Sequence, residues 1–70
     1  MSERLKVVIN GSANEVPAGL NVAGLLAHLG ILADRVAIER NLDILPRTQW
    51  EQTQVTSGDQ FEIVHLVGGG

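Results

Sequence analysis

The order of local sequence patterns predicts an α+β domain, in which a mixed β-sheet packs one main helix across one face. Segments of alternating apolar and polar residues, typical of half-buried strands, lie on both sides of a single amphipathic segment with helical spacing. An Asn-Gly turn separates the first two strands and indicates a hairpin. Further strands follow the helix, so the sheet must contain a crossover connection and is expected to be mixed.

The first strand is predicted over residues 5–10, where alternate positions are apolar. The turn at residues 10–12 leads into a weaker second strand at 13–16, because Asn and Gly accept positive φ angles at little cost. Pro17 marks the end of this strand, since proline cannot donate to a ladder. These elements predict a β-hairpin at the start of the chain.

The one main helix is predicted to start after Asn21, whose side chain can cap the first turn. Four apolar residues follow at helical spacing and form a single stripe: Val22, Leu25, Leu26 and Leu29. Gly30 occupies the position that favours a left-handed residue at the helix end. Gly24 costs up to ~1 kcal/mol relative to alanine, so tertiary packing must stabilise the helix.

The second half of the chain is predicted to be mainly strands. In order, these elements are a strand at 36–40, a turn at 41–43, a short strand at 44–45, a helical turn at 48–51, a turn at 57–59 and a last strand at 60–67. Thr48 is expected to cap the helical turn, with Glu51 completing a capping box. Phe61 and Ile63 are expected to face the core.

Length, charge and cysteine content exclude several classes of function. Seventy residues suit one small domain, which we expect over residues 1–67, with a flexible glycine tail at 68–70. The absence of cysteine excludes disulfides and thiolate chemistry and fits the cytoplasm. A net charge of −3 with scattered basic residues argues against nucleic-acid binding. No apolar run approaches the ~20 residues of a membrane helix, so no membrane partner is expected.

No catalytic residue or metal site is predicted inside the chain. His28 and His65 lie at a predicted helix end and in a predicted strand, without a carboxylate at a suggestive spacing. The sequence lacks the spacing of three or four metal ligands. Trp50 is expected to pack in the core rather than to stack on a ligand.

The glycine tail is the candidate site. Gly68, Gly69 and Gly70 cannot act as a phosphate loop, which needs a helix after the glycines. A frayed terminus is one interpretation. The other is that a tail without side chains enters a narrow channel and presents a carboxylate to another enzyme, because three adjacent glycines are entropically costly without such a use. The residues alone leave both interpretations open.

Three segments of the chain are similar to one known family. They are Val-Ala-Ile-Glu at 36–39 with Asn41, the run Ile-Leu-Pro-Arg-Thr-Gln-Trp at 44–50, and the C-terminal segment from Gly58 to the glycines at 68–70. With these segments the chain resembles the ubiquitin-like β-grasp sulfur carriers, and among them the ThiS family of thiamine (thiazole) biosynthesis. The alternatives are the small subunit of molybdopterin synthase, which usually has prolines shortly before its diglycine, and a ubiquitin-like protein modifier, which is usually richer in lysine.

The resemblance implies a protein cosubstrate rather than an enzyme. It implies that a ThiF-like adenylyltransferase uses ATP and Mg²⁺ to adenylate Gly70, while Gly68 and Gly69 thread into the partner's active site. It further implies that a persulfide donor, such as a cysteine desulfurase, converts the acyl-adenylate into a thiocarboxylate. Thiazole synthase (ThiG) would then receive the sulfur. The chain itself would bind no cofactor or metal.

The surface that docks these partners is expected next to the tail. Strand alternation predicts that Val64 and Leu66 are exposed apolar residues just before the glycines, and exposed apolar residues often mark partner contacts. Backbone pairing along an edge strand is the alternative mode of recognition.

Overall fold

The computed structural model describes residues 3–67, which form a five-stranded mixed sheet with one α-helix on one face, as the sequence predicted. The elements are β1 (Arg4–Ile9), β2 (Ser12–Pro17), α1 (Val22–Leu29), β3 (Val36–Arg40), β4 (Asp43–Ile44) and β5 (Gln60–His65). Short 3₁₀ turns occupy Ala33–Arg35 and Arg47–Gln49. Within residues 3–67, no helix has both the length and the apolarity needed to cross a membrane.

The last strand lies at the centre of the sheet, whose order is β2-β1-β5-β3-β4. The hairpin pairs β1 with β2 in antiparallel fashion, and β5 runs parallel to β1 and antiparallel to β3. In this register Ile9 lies opposite Phe61, and Ile38 lies opposite Ile63. These residues share one face because side chains alternate along each strand. Within residues 3–67, the chain therefore ends just after its middle strand.

Helix α1 begins and ends at the predicted residues. The Asn21 side chain accepts a hydrogen bond from the Gly24 N–H at 2.7 Å and donates to the Glu51 carbonyl at 3.1 Å. Gly30 has φ +74° and closes the helix. A Cβ on Gly24 would lie 3.1 Å from Asn21 Oδ1 and 3.3 Å from Leu20 Cδ2. The glycine therefore leaves room for the cap, which offsets its low helix propensity.

The core lies between α1 and the inner face of the sheet. Its buried apolar residues are Val7, Val16, Val22, Leu25, Leu26, Val36, Ile38, Trp50, Val55, Phe61 and Ile63. Leu29, the last residue of the predicted stripe, is only half-buried and packs at the margin. Trp50 is buried as predicted, and its indole Nε1 donates to the Leu45 carbonyl at 2.8 Å. The buried indole N–H is therefore satisfied within the domain.

The predicted cap at Thr48 is wrong. The helical turn is a 3₁₀ turn that begins one residue earlier, after Pro46, and it has no side-chain cap. Pro46 has φ −61° and ψ 145°, an extended conformation that places Arg47 as the first residue of the turn. Thr48 therefore lies inside the turn, where its side chain cannot serve as the cap.

Several strand ends also differ from the prediction. Strand β1 begins and ends one residue earlier, and strand β2 is one residue longer at each end, so that it includes Pro17. Strand β4 includes Asp43 and stops at Ile44, because the Leu45 carbonyl accepts the Trp50 indole N–H instead of extending the ladder. Strand β5 ends at His65 rather than at residue 67. Its partner β3 begins at Val36, so no further strand residue is available to pair with the end of β5.

A buried carboxylate fixes the entrance to β5. Asp59 is 4% exposed and accepts hydrogen bonds from the Thr56 N–H at 2.8 Å and from Arg40 Nε at 3.1 Å. The Thr56 hydroxyl and the Asn41 amide bond its second oxygen at 3.0 and 3.3 Å. Burial raises the pKa of Asp59, but these hydrogen bonds together outweigh burial and hold the pKa below its ordinary value.

Replacing Asp59 by asparagine should lower the free energy of unfolding near neutral pH by about 1–3 kcal/mol, because an amide nitrogen cannot accept these hydrogen bonds. A lowered pKa in the folded state means that the carboxylate stabilises the fold above the ordinary pKa of about 3.9, and that this stability disappears as the pH falls through the lowered pKa. Urea unfolding followed by Trp50 fluorescence should therefore show that the free energy of unfolding falls more at acid pH in the wild type than in Asp59→Asn.

The exposed carboxylate of Asp43 offers the matched control for this experiment. Asp43→Asn should unfold like the wild type at each pH. If the free energy of unfolding fell equally at acid pH in the wild type and in Asp59→Asn, the result would contradict the role given to Asp59.

Candidate functional site

The candidate site begins where β5 leaves the sheet. Phe61 and Ile63 are buried as predicted, whereas the chain from Val64 to Val67 is exposed. The last cross-strand contact is the hydrogen bond from the Leu66 N–H to the Arg35 carbonyl at 2.8 Å. The predicted tail, residues 68–70, lies outside the described residues. The structure thus places the residues before the tail at the exposed end of the central strand.

Two asparagine side chains hold β5 from either side. Asn10 accepts from the Ile63 N–H at 2.7 Å and donates to the Ile63 carbonyl at 3.2 Å, which continues the β1–β5 ladder beyond Ile9. The side-chain oxygen of Asn41 accepts from the Gln60 N–H at 3.0 Å, and the backbone N–H of Asn41 donates to the Gln60 carbonyl at 2.8 Å. From the sequence, Asn10 was placed where the first strand meets its turn, and Asn41 was placed in the turn after the third strand. Their turn positions gave no indication of the distant strand that they bind.

The predicted exposure of Val64 and Leu66 is confirmed, at 55% and 58%. The structure brings further apolar residues to this end of the sheet: Ile44 is 77% exposed and lines a shallow depression together with Ala37 and Val64. Partner contact by Val64 and Leu66 remains a prediction. The sequence pattern placed Ile44 in a short strand but did not indicate whether its side chain is buried or exposed.

Leu42 is a residue that sequence reasoning missed. Asn41 and Leu42 form the two-residue connection between β3 and β4, with φ values of +52° and +74°. The second position of such a turn favours glycine. A leucine in the left-handed region costs ~1–2 kcal/mol, and here its side chain is 86% exposed, so it does not recover that energy in the core. Strain combined with an exposed apolar side chain makes Leu42 a candidate contact residue.

Charged residues border this apolar surface. Glu39 and Glu62 lie directly opposite each other on β3 and β5, an arrangement of like charges that destabilises a sheet slightly. Among residues 3–67, the only salt bridge joins Arg40 to Asp59 at 3.1 Å. Neither glutamate forms a salt bridge within the part of the chain that the structure describes.

The histidines and carboxylates are not assembled into a reaction centre within the described chain. His28 is exposed in the last turn of α1, and His65 is exposed on β5, as predicted. Residues 3–67 contain no group of three or more His, Asp or Glu side chains arranged to hold a metal ion.

Comparison with known sequences identifies the family. The sequence profile of the ThiS family matches residues 5–70, which include the glycine tail. The chain belongs to the ThiS family. Among curated relatives of this ThiS-family chain, the sulfur carrier protein ThiS of Escherichia coli K12 is 33% identical over 66 residues, covering 94% of this chain and all of the relative.

A longer relative contains a similar segment. The thiazole synthase of Paramagnetospirillum magneticum is 44% identical over 66 residues, which cover 94% of this chain but 20% of the relative. The thiazole synthase of Magnetococcus marinus is 36% identical over 66 residues, with the same coverage. The ThiS-family chain thus spans about a fifth of the length of these two relatives.

A solved structure confirms the fold class. The crystal structure of a thiamine biosynthesis protein (ThiS) from Geobacter metallireducens superposes with a TM-score of 0.80 at 34% identity. The match covers 94% of this chain and all of that chain. The mixed sheet with one helix across its face is therefore the ubiquitin-like β-grasp fold that the sequence resemblance implied.

Removing the Asn10 side chain should loosen the central strand. Asn10→Gly can keep the positive φ of this residue, so the variant removes the side chain without forcing the turn to change. We expect the free energy of unfolding to fall by about 1–2 kcal/mol and the Ile63 amide to exchange its hydrogen faster. Asn14→Ala, which removes only a local bond to the Ser12 carbonyl, should leave Ile63 exchange unchanged. Unaltered exchange at Ile63 in Asn10→Gly would contradict this role.

Proposed function

We propose that this chain is a sulfur carrier of thiamine biosynthesis and that the carboxyl carbon of Gly70 holds the sulfur. The observation that carries the proposal is the ThiS-family match, which extends through the glycine tail. The domain supports it, because the exposed end of the central strand leads directly into that tail. The Escherichia coli relative named a sulfur carrier protein has nearly the same length as this chain, which supports the same function.

Activation of Gly70 is required because a carboxylate is a poor electrophile and oxide is a poor leaving group. A carboxylate oxygen of Gly70 attacks the α-phosphorus of ATP, and the bond to pyrophosphate breaks. The product is an acyl-adenylate whose leaving group is AMP. A ThiF-like adenylyltransferase binds the ATP and Mg²⁺, while Gly68 and Gly69 pass through its channel without side chains that would obstruct entry.

Sulfur then replaces AMP. The outer sulfur of a protein persulfide, supplied by a donor such as a cysteine desulfurase, attacks the carbonyl carbon of Gly70 and expels AMP. A thiol next attacks the donor's inner sulfur, which forms a disulfide with the donor and releases the thiocarboxylate. The carrier is in this scheme a cosubstrate of cytoplasmic enzymes rather than an enzyme itself, and it needs no cysteine of its own.

Thiazole synthase is the proposed acceptor enzyme. Proteins with that name from two organisms contain a segment similar to this chain, which supports a close functional connection between carrier and synthase. The relatives are named thiazole synthase and sulfur carrier protein ThiS, and the similar solved structure is named a thiamine biosynthesis protein, which favours this role over molybdopterin synthase or a protein modifier.

The docking surface in this proposal is the apolar end of the sheet. Val64 and Leu66 lie directly before the tail, so an enzyme that admits Gly70 must approach them closely. Ile44 extends the same surface toward the β3–β4 turn, in which Leu42 is also exposed. Burying these side chains against a partner would be favourable by about 25 cal/mol for each Å² removed from water.

The function is tested by intact-mass spectrometry. After incubation with ATP, Mg²⁺, a ThiF-like adenylyltransferase, a cysteine desulfurase, cysteine and a thiol, the chain should gain the mass difference between one sulfur and one oxygen. A chain that lacks Gly69 and Gly70 should not change. Failure of the full chain to gain this mass would reject the carrier function, and isopeptide links from Gly70 to lysines of other proteins would instead indicate a modifier.

A β-branched residue in the tail should block loading. Gly69→Val should lower the rate of acyl-adenylate formation by at least about a hundredfold, because a branched side chain cannot pass a channel fitted to glycine. Urea unfolding should remain at the wild-type value, since the buried core residues of the described domain all lie between Val7 and Ile63. Ala13→Val provides the matched control on an exposed strand position and should load normally. Normal adenylation of Gly69→Val would contradict the narrow-channel mechanism.

A further inference from the structure

The turn of the first hairpin joins an asparagine to a glycine. The β1–β2 ladder ends at the pair of Ile9 and Ser12, so Asn10 and Gly11 are the two connecting residues, with φ values of +50° and +82°. Positive φ at both positions is typical of a type I′ turn. Gly11 is exposed, and a Cβ built on it would have no heavy atom within 4 Å. The Gly11 nitrogen is therefore shielded neither by a side chain of its own nor by close neighbours on that side.

An asparagine followed by glycine can lose its side-chain amide without an enzyme. The glycine nitrogen loses its proton and attacks the asparagine Cγ, so that an N–Cγ bond forms and the Cγ–Nδ2 bond breaks to release ammonia. Water then opens the resulting succinimide ring to aspartate or to isoaspartate. No atom is oxidised or reduced, and water is the only other reactant. Glycine favours this ring closure because it has no Cβ to obstruct the attack.

Asn10 is anchored to β5 through both its backbone and its side chain. Its backbone N–H donates to the Phe61 carbonyl at 2.9 Å. Its side-chain oxygen accepts from the Ile63 N–H at 2.7 Å, and its Nδ2 donates to the Ile63 carbonyl at 3.2 Å. Ring closure moves Cγ onto the Gly11 nitrogen and expels Nδ2 as ammonia, which breaks the bond to the Ile63 carbonyl. The chemistry at Asn10 is therefore opposed by the same contacts that hold the central strand.

We propose that Asn10 is a self-modification site of this chain and that its two side-chain bonds to Ile63 control the rate. While both bonds are formed, the amide stays intact, and when they open, the Gly11 nitrogen attacks. The product cannot restore the original pair, because a carboxylate has no N–H to donate to the Ile63 carbonyl. Isoaspartate also adds one methylene to the backbone of the turn. Each modified chain therefore has a weaker hold on its central strand.

The other three asparagines lack this combination of features. Asn14, Asn21 and Asn41 are each followed by a residue that has a Cβ. Asn41 is the most useful comparison, because it also has a positive φ, +52°, and its side-chain oxygen also accepts from β5, at the Gln60 N–H. Only the following residue, Leu42 in place of a glycine, removes the reactive nitrogen from easy reach.

Peptide mapping by mass spectrometry tests the site. In urea at mildly alkaline pH, where the chain is unfolded, Asn10 should lose its amide at least about tenfold faster than each other asparagine. Gly11→Ala should slow this loss by at least about tenfold, because its Cβ obstructs ring closure. Measurement in urea makes the strain of alanine at a φ of +82° irrelevant. Equal loss at all four asparagines, or an unchanged rate in Gly11→Ala, would overturn the assignment of the site.

The folded chain tests the control by Ile63. Without urea, amide loss at Asn10 should be at least about tenfold slower than in urea, because the bonds to Ile63 must open first. Val67→Asn offers the matched control, since it places an asparagine before Gly68 at a position that is 94% exposed and lies beyond the last strand. At position 67 the rates with and without urea should differ by less than about threefold. Equal slowing at both positions would overturn the control by Ile63.

Amide hydrogen exchange tests the consequence for the central strand. The modified chain carries one more negative charge and is separated from the unmodified chain by ion exchange. Its Ile63 amide should exchange at least about threefold faster, because the strand has lost part of its hold. Asn14→Asp adds the same charge in β2 and should leave Ile63 exchange unchanged. Unchanged Ile63 exchange in the modified chain would overturn the proposed consequence. None of these outcomes depends on the proposed carrier function, which thiocarboxylate formation tests separately.

Discussion

The position of β5 between β1 and β3 is the constraint on which the rest of the domain depends. Its first residues are fixed by a buried carboxylate, Asp59, and its two sides are bonded by the amide groups of Asn10 and Asn41. Its inward side chains, Phe61 and Ile63, lie beneath α1 in the core. The strand is thus rigidly held where it enters the sheet and exposed where it leaves. A carrier needs both properties, because a fixed strand gives the tail a defined origin, whereas a buried exit would hide that tail from its partners.

The parts of the fold that depend on local patterns could be predicted from the sequence. Asn21 and Gly30 delimit the helix through bonds to residues a few positions away, and alternation in β5 distinguishes buried Phe61 from exposed Val64. The error at Thr48 has a local cause as well. Two competing start signals lay within three residues, and the fixed backbone of Pro46 prevailed over a possible hydroxyl cap.

The parts that could not be predicted depend on contacts between distant segments. Asn10 and Ile63 are 53 positions apart, so no local pattern connects them. Asp59 was read as a turn residue, and its burial follows from the approach of Arg40 across the sheet. For the candidate site, alternation predicted the exposure of Val64 and Leu66. The remainder of that surface needed the folded sheet, because β4 joins it through pairing that only the tertiary structure defines.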